Sequence, residues 1–87
     1  MKITEVNITP IKPKDGLIGF ASVVFEGCLY LRSIGLYTRR DGRGYRITYP
    51  TKKIAERNLN IYHPITADLS RQIETAILQK AEKIFNQ

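Results

Sequence analysis

The chain has 87 residues, a length typical of one domain, and we expect residues 1–87 to form a single domain. Its composition, 43% hydrophobic and 25% charged, excludes an intrinsically disordered chain. The 14 Lys and Arg residues outnumber the 8 Asp and Glu residues, so the net charge is +6 and the isoelectric point about 9.7. This balance is typical of proteins that bind nucleic acids, and the alternative is a solvated basic surface that binds nothing.

The first part of the chain shows the alternation that is typical of strands. Within residues 3–11, Val6, Ile8 and Pro10 follow one another at every second position, which predicts a strand, and the proline indicates a sheet edge. After a turn, residues 17–26 place apolar side chains on both sides, so we expect a second strand with both faces buried. Beyond a glycine, residues 28–38 alternate again and predict a third strand.

A turn rich in arginine and glycine separates the third strand from its return strand. Asp41-Gly42 between two strand-like runs is a strong hairpin signal, and residues 45–50 predict the return strand. A two-residue turn would place Arg40 and Arg43 directly opposite each other, and like charges so placed repel by up to about 1 kcal/mol. A longer loop or a bound anion would relieve this repulsion.

The C-terminal part of the chain predicts a loop and then a helix. Residues 51–60 carry three cations and few apolar anchors, so we expect a mobile loop. Apolar residues recur at helical spacing in residues 68–85, which predicts a helix about 27 Å long that Thr66 or Asp68 caps. The elements together predict an α+β protein, in which a twisted antiparallel sheet of four to five strands is followed by a long C-terminal α-helix.

Two features of these elements predict a homodimer. A chain of this size buries only about 60% of its unfolded surface on folding, so association is a natural source of further burial. Leu78 and Phe85 widen the apolar stripe of the helix beyond what one sheet face needs, and the edge strand at Pro10 offers unpaired backbone groups. We therefore expect a second copy of the chain to cover these surfaces.

Residues that carry catalysis or bind metals are scarce. Cys28 is the single cysteine and His63 the single histidine, so one chain cannot build a His/Cys metal cluster. Cys28 begins an apolar strand, where we expect a buried, inert thiol. His63 precedes a proline, where we expect it to orient the chain by hydrogen bonding or, alternatively, to contact a phosphate. We expect no catalytic residues, no metal site, no cofactor and no enzymatic activity.

The sequence also bears on the compartment. Met1 and Lys2 precede a strand pattern instead of an apolar leader, and no apolar run approaches the roughly 20 residues that span a bilayer. A lone cysteine, which cannot form a disulfide within the chain, fits a reducing compartment. We expect a cytoplasmic protein that does not insert into a membrane.

Cations concentrate in the middle of the chain. Residues 32–57 contain eight Lys and Arg residues and two acids, so their excess of six equals the net charge of the whole chain. Arginine is a strong phosphate ligand because its planar guanidinium binds two oxygens at once. We predict that the hairpin and the loop form one phosphate-binding surface, made by Arg39, Arg40, Arg43, Lys52, Lys53 and Arg57.

Three tyrosines, Tyr37, Tyr45 and Tyr49, lie among these cations. Exposed tyrosines stack on bases in proteins that bind single strands. The alternative is that Tyr45 and Tyr49 belong to the core, since they share a strand face with Ile47. For Tyr37 both interpretations stay open.

Three blocks of residues carry a resemblance to a known family. Leu31-Arg32-Ser33-Ile34, with Gly42 and Tyr49-Pro50-Thr51-Lys52-Lys53, is similar to a block DIRVI-DG-FVAMPSKR, and residues 60–66 are similar to a block DIAHPIN. Arg71 and the apolar residues after it are similar to the start of a C-terminal helix. These blocks resemble the stage V sporulation protein G family (SpoVG), the septation regulators of bacteria. The family often has Asp at the position of Leu31, Ser at that of Thr51 and Arg at that of Lys53.

The resemblance implies a bacterial regulator of septation and sporulation that is a dimer and binds DNA and RNA. Lys52, Lys53 and Arg57 match the basic loop of the family, and Arg71 matches an arginine at the start of its helix. Phosphate contacts from such a loop position a nucleic acid without reading its sequence. The alternative hypothesis is a protein-interaction module of the division machinery, with no direct nucleic-acid role, whose basic surface binds an acidic partner.

Overall fold

Six strands and one helix follow one another along residues 1–85, the part of the chain that the computed structural model describes. In chain order they are β1 Ile3–Lys14, β2 Leu17–Phe25, β3 Leu29–Thr38, β4 Tyr45–Thr48, β5 Thr51–Ile54, β6 Arg57–Asn60 and α1 Ala67–Phe85. Strands β1 to β4 form one antiparallel sheet in that order, and β5 pairs with β6 in a separate hairpin. The predicted α+β class, with an antiparallel sheet before a long helix, is confirmed. No helix of the described chain has the length and apolar character needed to cross a membrane.

Helix α1 packs on one face of the four-stranded sheet and closes the core. Its buried residues Ile73, Ile77 and Ala81 are spaced by four, so they lie on one side of the helix. They join the buried strand residues Ile18, Ala21, Val23, Phe25, Ile34 and Leu36. Thr66 is the capping residue, because its Oγ1 accepts a hydrogen bond of 3.2 Å from the backbone N–H of Leu69.

The wider part of the helix stripe also faces this core, as do Tyr45 of β4 and Tyr49, which directly follows β4. Leu78 and Phe85 are partly buried against it, and the rings of Phe85 and Tyr45 lie 6.1 Å apart. Ile47 and Tyr49 are packed against the same cluster. The interpretation of Tyr45 and Tyr49 as core residues is therefore confirmed, and the width of the stripe is explained within one chain.

The expectation that both faces of β2 are buried is wrong. Ala21, Val23 and Phe25 point toward the helix, whereas Phe20 on the opposite face is 42% exposed and Val24 is half-buried. The physical reason is that one helix covers one face of a sheet, and within residues 1–85 nothing covers the other. This uncovered side is called the open sheet face below.

A β-bulge marks the pairing of β2 with β3. Ser22 of β2 lies opposite two residues of β3, Arg32 and Ser33, and the backbone of Ser33 is left-handed with φ of 68°. The phenolic hydroxyl of Tyr62 donates a hydrogen bond of 2.7 Å to the backbone carbonyl of Arg32. The segment between β6 and α1 is therefore tied to β3 where the extra residue interrupts the ladder.

Residues 51–60 form a hairpin, so the prediction of a mobile loop is wrong. Thr51 pairs with Asn60 and Ile54 with Arg57 in a complete antiparallel ladder. The turn has neither the glycine nor the asparagine that usually marks a hairpin in a sequence. Its left-handed position is occupied by Ala55, with φ of 56°. All eight strand residues are exposed, so the hairpin projects from the body of the protein.

The expectation of a buried thiol at Cys28 is also wrong. Strand β3 begins one residue later, at Leu29, and Cys28 lies exposed in the tight turn that joins β2 to β3. Its backbone N–H donates to the carbonyl of Phe25 at 2.9 Å. Apolar neighbours in the sequence predicted burial, but the turn directs this side chain to solvent.

Candidate nucleic-acid interface

The predicted cations lie in the loop between β3 and β4, on the β5–β6 hairpin and on α1. Arg39, Arg40 and Arg43 belong to the six-residue loop that joins β3 to β4. The two lysines at 52 and 53 lie on β5, and Arg57 begins β6. Arg71 lies near the start of α1. All seven side chains are exposed, so each can reach a ligand from solvent.

The β3–β4 loop relieves the charge repulsion that a two-residue turn would create. The last ladder pair joins Thr38 to Tyr45, so all six residues between them are outside the ladder. Inside the loop, the N–H of Gly42 donates to the carbonyl of Arg39 at 2.9 Å, and Asp41 Oδ1 accepts from the N–H of Arg43 at 2.9 Å. The carboxylate of Asp41 accepts this backbone hydrogen bond, and the three arginines of the loop are exposed.

The β5–β6 hairpin divides its cations between two faces. Side chains alternate along a strand, and residues directly opposite each other share a face. Lys52, Arg57 and the apolar Leu59 and Ile54 therefore lie on one face of the hairpin. Lys53 lies on the other, polar face. The structure thus does not bring the three hairpin cations onto one face.

The loop and the hairpin lie at opposite ends of β4. Thr51 comes seven positions after Gly44, so at full extension these two residues are at most about 25 Å apart. Duplex DNA rises about 3.4 Å per base pair, so a segment of about seven base pairs would span both groups. Both patches therefore lie within the reach of one extended polyanion of that length.

Arg71 already has a partner within the helix. Its guanidinium lies 2.8 Å from the carboxylate of Asp68, three residues earlier, and both side chains are largely exposed. An exposed pair of this kind contributes only about 0 to 1 kcal/mol to stability. Arg71 can therefore exchange this carboxylate for a phosphate at little cost.

The segment that leaves the hairpin is held by two tyrosines. The rings of Tyr49 and Tyr62 meet edge to face, with centroids 6.1 Å apart. Burial, and then the neighbouring Tyr49, raise the pKa of Tyr62 to about 12. Burial raises the pKa of Tyr49 as well, with a smaller contribution from the charge of Glu74. Both hydroxyls therefore stay neutral at physiological pH, and the ring contact together with the hydrogen bond of Tyr62 anchors the base of the hairpin.

His63 directly follows this anchor. Its Nδ1 lies 3.0 Å from the backbone carbonyl oxygen of Pro64, so the ring is engaged with its own segment, and the side chain is exposed. Within residues 1–85, no group of three or more His, Cys, Asp or Glu side chains is arranged to hold a metal ion.

The prediction of site residues missed a pair on the open sheet face. The guanidinium of Arg46 lies over the ring of Tyr37, 4.4 Å from its centroid. The two are direct partners across β3 and β4, one position away from the core residues Leu36 and Ile47. Counting outward from Asp41-Gly42 pairs Tyr37 with Arg46, so the hairpin signal in the sequence was sufficient to find the pair.

Comparison with known proteins agrees with the motifs. The family model SpoVG matches residues 1–83. A relative from Treponema denticola is 32% identical over 84 residues, which cover 95% of this chain and 88% of the relative. A relative from Phytoplasma australiense is 30% identical, and the match covers 99% of this chain and 88% of the relative. A relative from Clostridium perfringens is 31% identical, and the match covers 99% of this chain and 94% of the relative. Each of the three is named "Putative septation protein SpoVG". The chain therefore belongs to the SpoVG family.

Proposed function

We propose that this protein is a cytoplasmic, nucleic-acid-binding regulator linked to septation and sporulation, folded as a single domain. It contacts the phosphates of DNA or RNA through the β3–β4 loop and the β5–β6 hairpin. The observation that carries the proposal is the exposure of six cations at the two ends of β4, where the acid of the loop, Asp41, is engaged by backbone. Family membership supports the link to septation, since the relatives carry that word in their names.

The chemistry of these groups favours phosphate contacts over base readout. Guanidinium groups bind two phosphate oxygens at once, and lysines act as point charges. Phosphate contacts position a nucleic acid without reading its sequence, and the sequence has no recognition-helix or zinc-finger pattern of the kind that carries side chains to base edges. The expected behaviour is binding to many sequences with similar affinity and with strong dependence on salt.

The decisive experiment compares two double variants that remove the same charge. Lys52→Ala with Lys53→Ala removes two cations from β5. Lys12→Ala with Lys14→Ala removes two exposed cations from β1, which lies at the opposite edge of the sheet from β4. Fluorescence anisotropy with single-stranded and duplex DNA and RNA measures the affinities. We expect the β5 variant to bind all probes several-fold more weakly than the β1 variant does.

The outcome separates the two classes of function. Equal affinities of both double variants, with the fold intact, would move the nucleic-acid site away from the hairpin. Absence of binding by the unmodified protein to every probe, together with saturable binding to one acidic division protein, would support the interaction module instead.

We further propose that the protein is a homodimer whose copies meet through the β5–β6 hairpin. Isolated two-stranded hairpins are marginal in water, and this one carries Ile54 and Leu59 exposed on one face. Ile61 and Ile65, which follow it, are 64% and 88% exposed. A second copy would bury these apolar side chains and stabilise the hairpin, while the long side chains of Lys52 and Arg57 on the same face extend past the contact and keep their charges in solvent. Sedimentation equilibrium should give a dimer that Leu59→Ser weakens, and a monomer at tens of micromolar would contradict the proposal.

A further inference from the structure

The open sheet face combines aromatic rings with guanidinium groups. The strand register places on it the side chains of Phe20, Tyr30, Arg32, Tyr37 and Arg46. Phe20 is 42% exposed and Tyr30 is 58% exposed. Isolated exposed rings are ordinary on protein surfaces, but three rings and two arginines on one sheet face are unusual.

One end of this face is a fixed stack. Gly35 has no side chain, and a Cβ added there would lie 3.0 Å from Cε1 of Tyr37, so the tyrosine ring lies over the glycine backbone. Arg46 covers the outer side of the same ring, 4.4 Å from its centroid. Phe20 is the partner of Gly35 on β2, so its exposed ring stands beside this stack.

The other end of the face is a shallow depression. Its volume is about 310 Å³, and Phe20 and Tyr30 form two of its walls. Arg32 lines the same depression, together with the hydroxyl-bearing side chains of Thr9, Ser22 and Ser33. The β-bulge at residues 32–33 leaves the ladder open here, so the depression offers hydrogen-bonding groups between two aromatic rings.

We propose that the open sheet face binds unpaired bases of a single-stranded nucleic acid, which stack on Phe20 and Tyr30 while Arg32 and Arg46 meet the adjoining phosphates. Single-strand binders use this combination, because every base has an aromatic face that stacks on a ring and every linkage carries a phosphate. The proposal rests on the function proposed above and deepens it, since it adds base contacts to the phosphate contacts of the loop and hairpin. Bases inside a duplex are already stacked, so this face discriminates in favour of single strands.

Charge favours a polyanion over a second copy as the occupant. The face carries two arginines, and the arginine-rich loop continues from the end of β3 that holds Tyr37. The register places one acid, Glu5, on the same side, opposite Val24 at the far end of the face. Two copies of this face brought together would set guanidinium groups against each other and would repel.

The test removes the rings without changing charge. One double variant, Phe20→Leu with Tyr30→Leu, loses both aromatic rings, and its matched control, Phe20→Tyr with Tyr30→Phe, keeps them. The probes are oligothymidylate of about 12 nucleotides, within the range that a compact single-strand-binding domain covers, an abasic strand of equal charge, and a duplex of equal length. Affinities are measured by fluorescence anisotropy at one salt concentration, and circular dichroism checks that each variant is folded.

The expected result is a loss of affinity that requires both the aromatic rings of the protein and the bases of the probe. The leucine variant should bind oligothymidylate at least about fivefold more weakly, since stacking on one ring already contributes that much. Its affinity for the abasic strand and for the duplex should stay within about twofold of the unmodified protein. The ring-keeping control should bind all three probes as the unmodified protein does.

Several results would overturn the inference. Unchanged affinity of the leucine variant for oligothymidylate would do so, and so would an equal loss with the abasic strand. A shift from dimer to monomer in the leucine variant would make this face a contact between copies instead.

If the double variant does not fold, Tyr30→Leu alone, at the more exposed position, gives the same comparison. If the unmodified protein binds no probe, the proposed function itself falls; if only the Lys52 and Lys53 variant loses binding, the stacking proposal alone falls.

Discussion

Two hydroxyl groups at the base of the hairpin provide a matched test of what holds it in place. Tyr62 donates a hydrogen bond of 2.7 Å to the carbonyl of Arg32, whereas the hydroxyl of Tyr49 is buried without a hydrogen-bond partner within the described residues. The phenylalanine substitutions, Tyr62→Phe and Tyr49→Phe, remove one oxygen each and leave the edge-to-face ring contact in place. The two variants therefore differ only in whether the lost hydroxyl had a partner.

The expected changes in stability have opposite signs. A protein hydrogen bond contributes about 0.5 to 1.5 kcal/mol net, so Tyr62→Phe should lower the free energy of unfolding by about 1 kcal/mol. A buried hydroxyl without a partner costs about 1 to 3 kcal/mol, so Tyr49→Phe should leave stability unchanged or raise it by about 1 kcal/mol. Urea denaturation followed by circular dichroism measures both. A destabilised Tyr49→Phe variant beside an unaffected Tyr62→Phe variant would refute this reasoning.

The pH dependence of the free energy of unfolding gives a second, independent test of Tyr62. The folded-state pKa of Tyr62 is raised from its ordinary value of 10.0 to about 12. A raised pKa contributes stability that is fully present below the unfolded pKa and is lost as pH rises through the folded pKa. Unmodified protein should therefore lose stability between pH 10 and pH 12 at this site, whereas Tyr62→Phe has no such loss. The stability gap between the two should narrow over that range, and a constant gap would contradict the assignment.

Three further predictions concern the core, the sheet and the residues that carry no assigned role. Ile77→Ala should lower the free energy of unfolding by about 2 to 5 kcal/mol in urea denaturation, because the side chain is fully buried, whereas Gln79→Ala at an exposed position of the same helix should stay within about 0.5 kcal/mol. Gly35→Ala should destabilise by about 1 kcal/mol in the same assay and weaken the stack on the open sheet face, because the new Cβ would lie 2.7 Å from a threonine hydroxyl of β4. Cys28→Ser and His63→Gln should each keep nucleic-acid affinity within about threefold in anisotropy titrations, since neither residue is among the cations proposed to contact phosphates. A folded variant of either residue that loses binding would contradict this prediction.

The sheet and the helix were predictable because their signals are local. The helix needs only a stripe such as Ile73, Ile77 and Ala81, whose spacing is readable along the chain. A strand needs only period-two alternation, as in β1, β3 and β4, or a short apolar run, as in β2. The β5–β6 hairpin escaped prediction because its turn places Ala55, and not a glycine, in the left-handed conformation. Its apolar residues are also exposed, so they gave no sign of a core-facing strand.

The candidate site was predictable in composition but not in arrangement. Charged side chains are exposed in almost any fold, so the sequence alone located the seven cations on the surface. It could not show that Lys52 and Lys53 point to opposite faces of a hairpin, because that depends on a strand that was not expected. Nor could it show which face of β2 the helix leaves open, because apolar residues such as Phe20 and Val23 occupy both. That choice is made by tertiary packing.

The most direct test of the phosphate-binding surface is the salt dependence of binding, patch by patch. If about five phosphates are neutralised, log K with duplex DNA should fall against log salt with a slope of about −4.5. Replacing Lys52 and Lys53 with alanine should reduce the magnitude of that slope by about 1 to 2, and replacing Arg39, Arg40 and Arg43 should reduce it by about 2 to 3. Stability should hardly change, because exposed charges contribute little to folding. Slopes equal to that of the unmodified protein in both variants would place the nucleic acid on another surface and contradict the proposal.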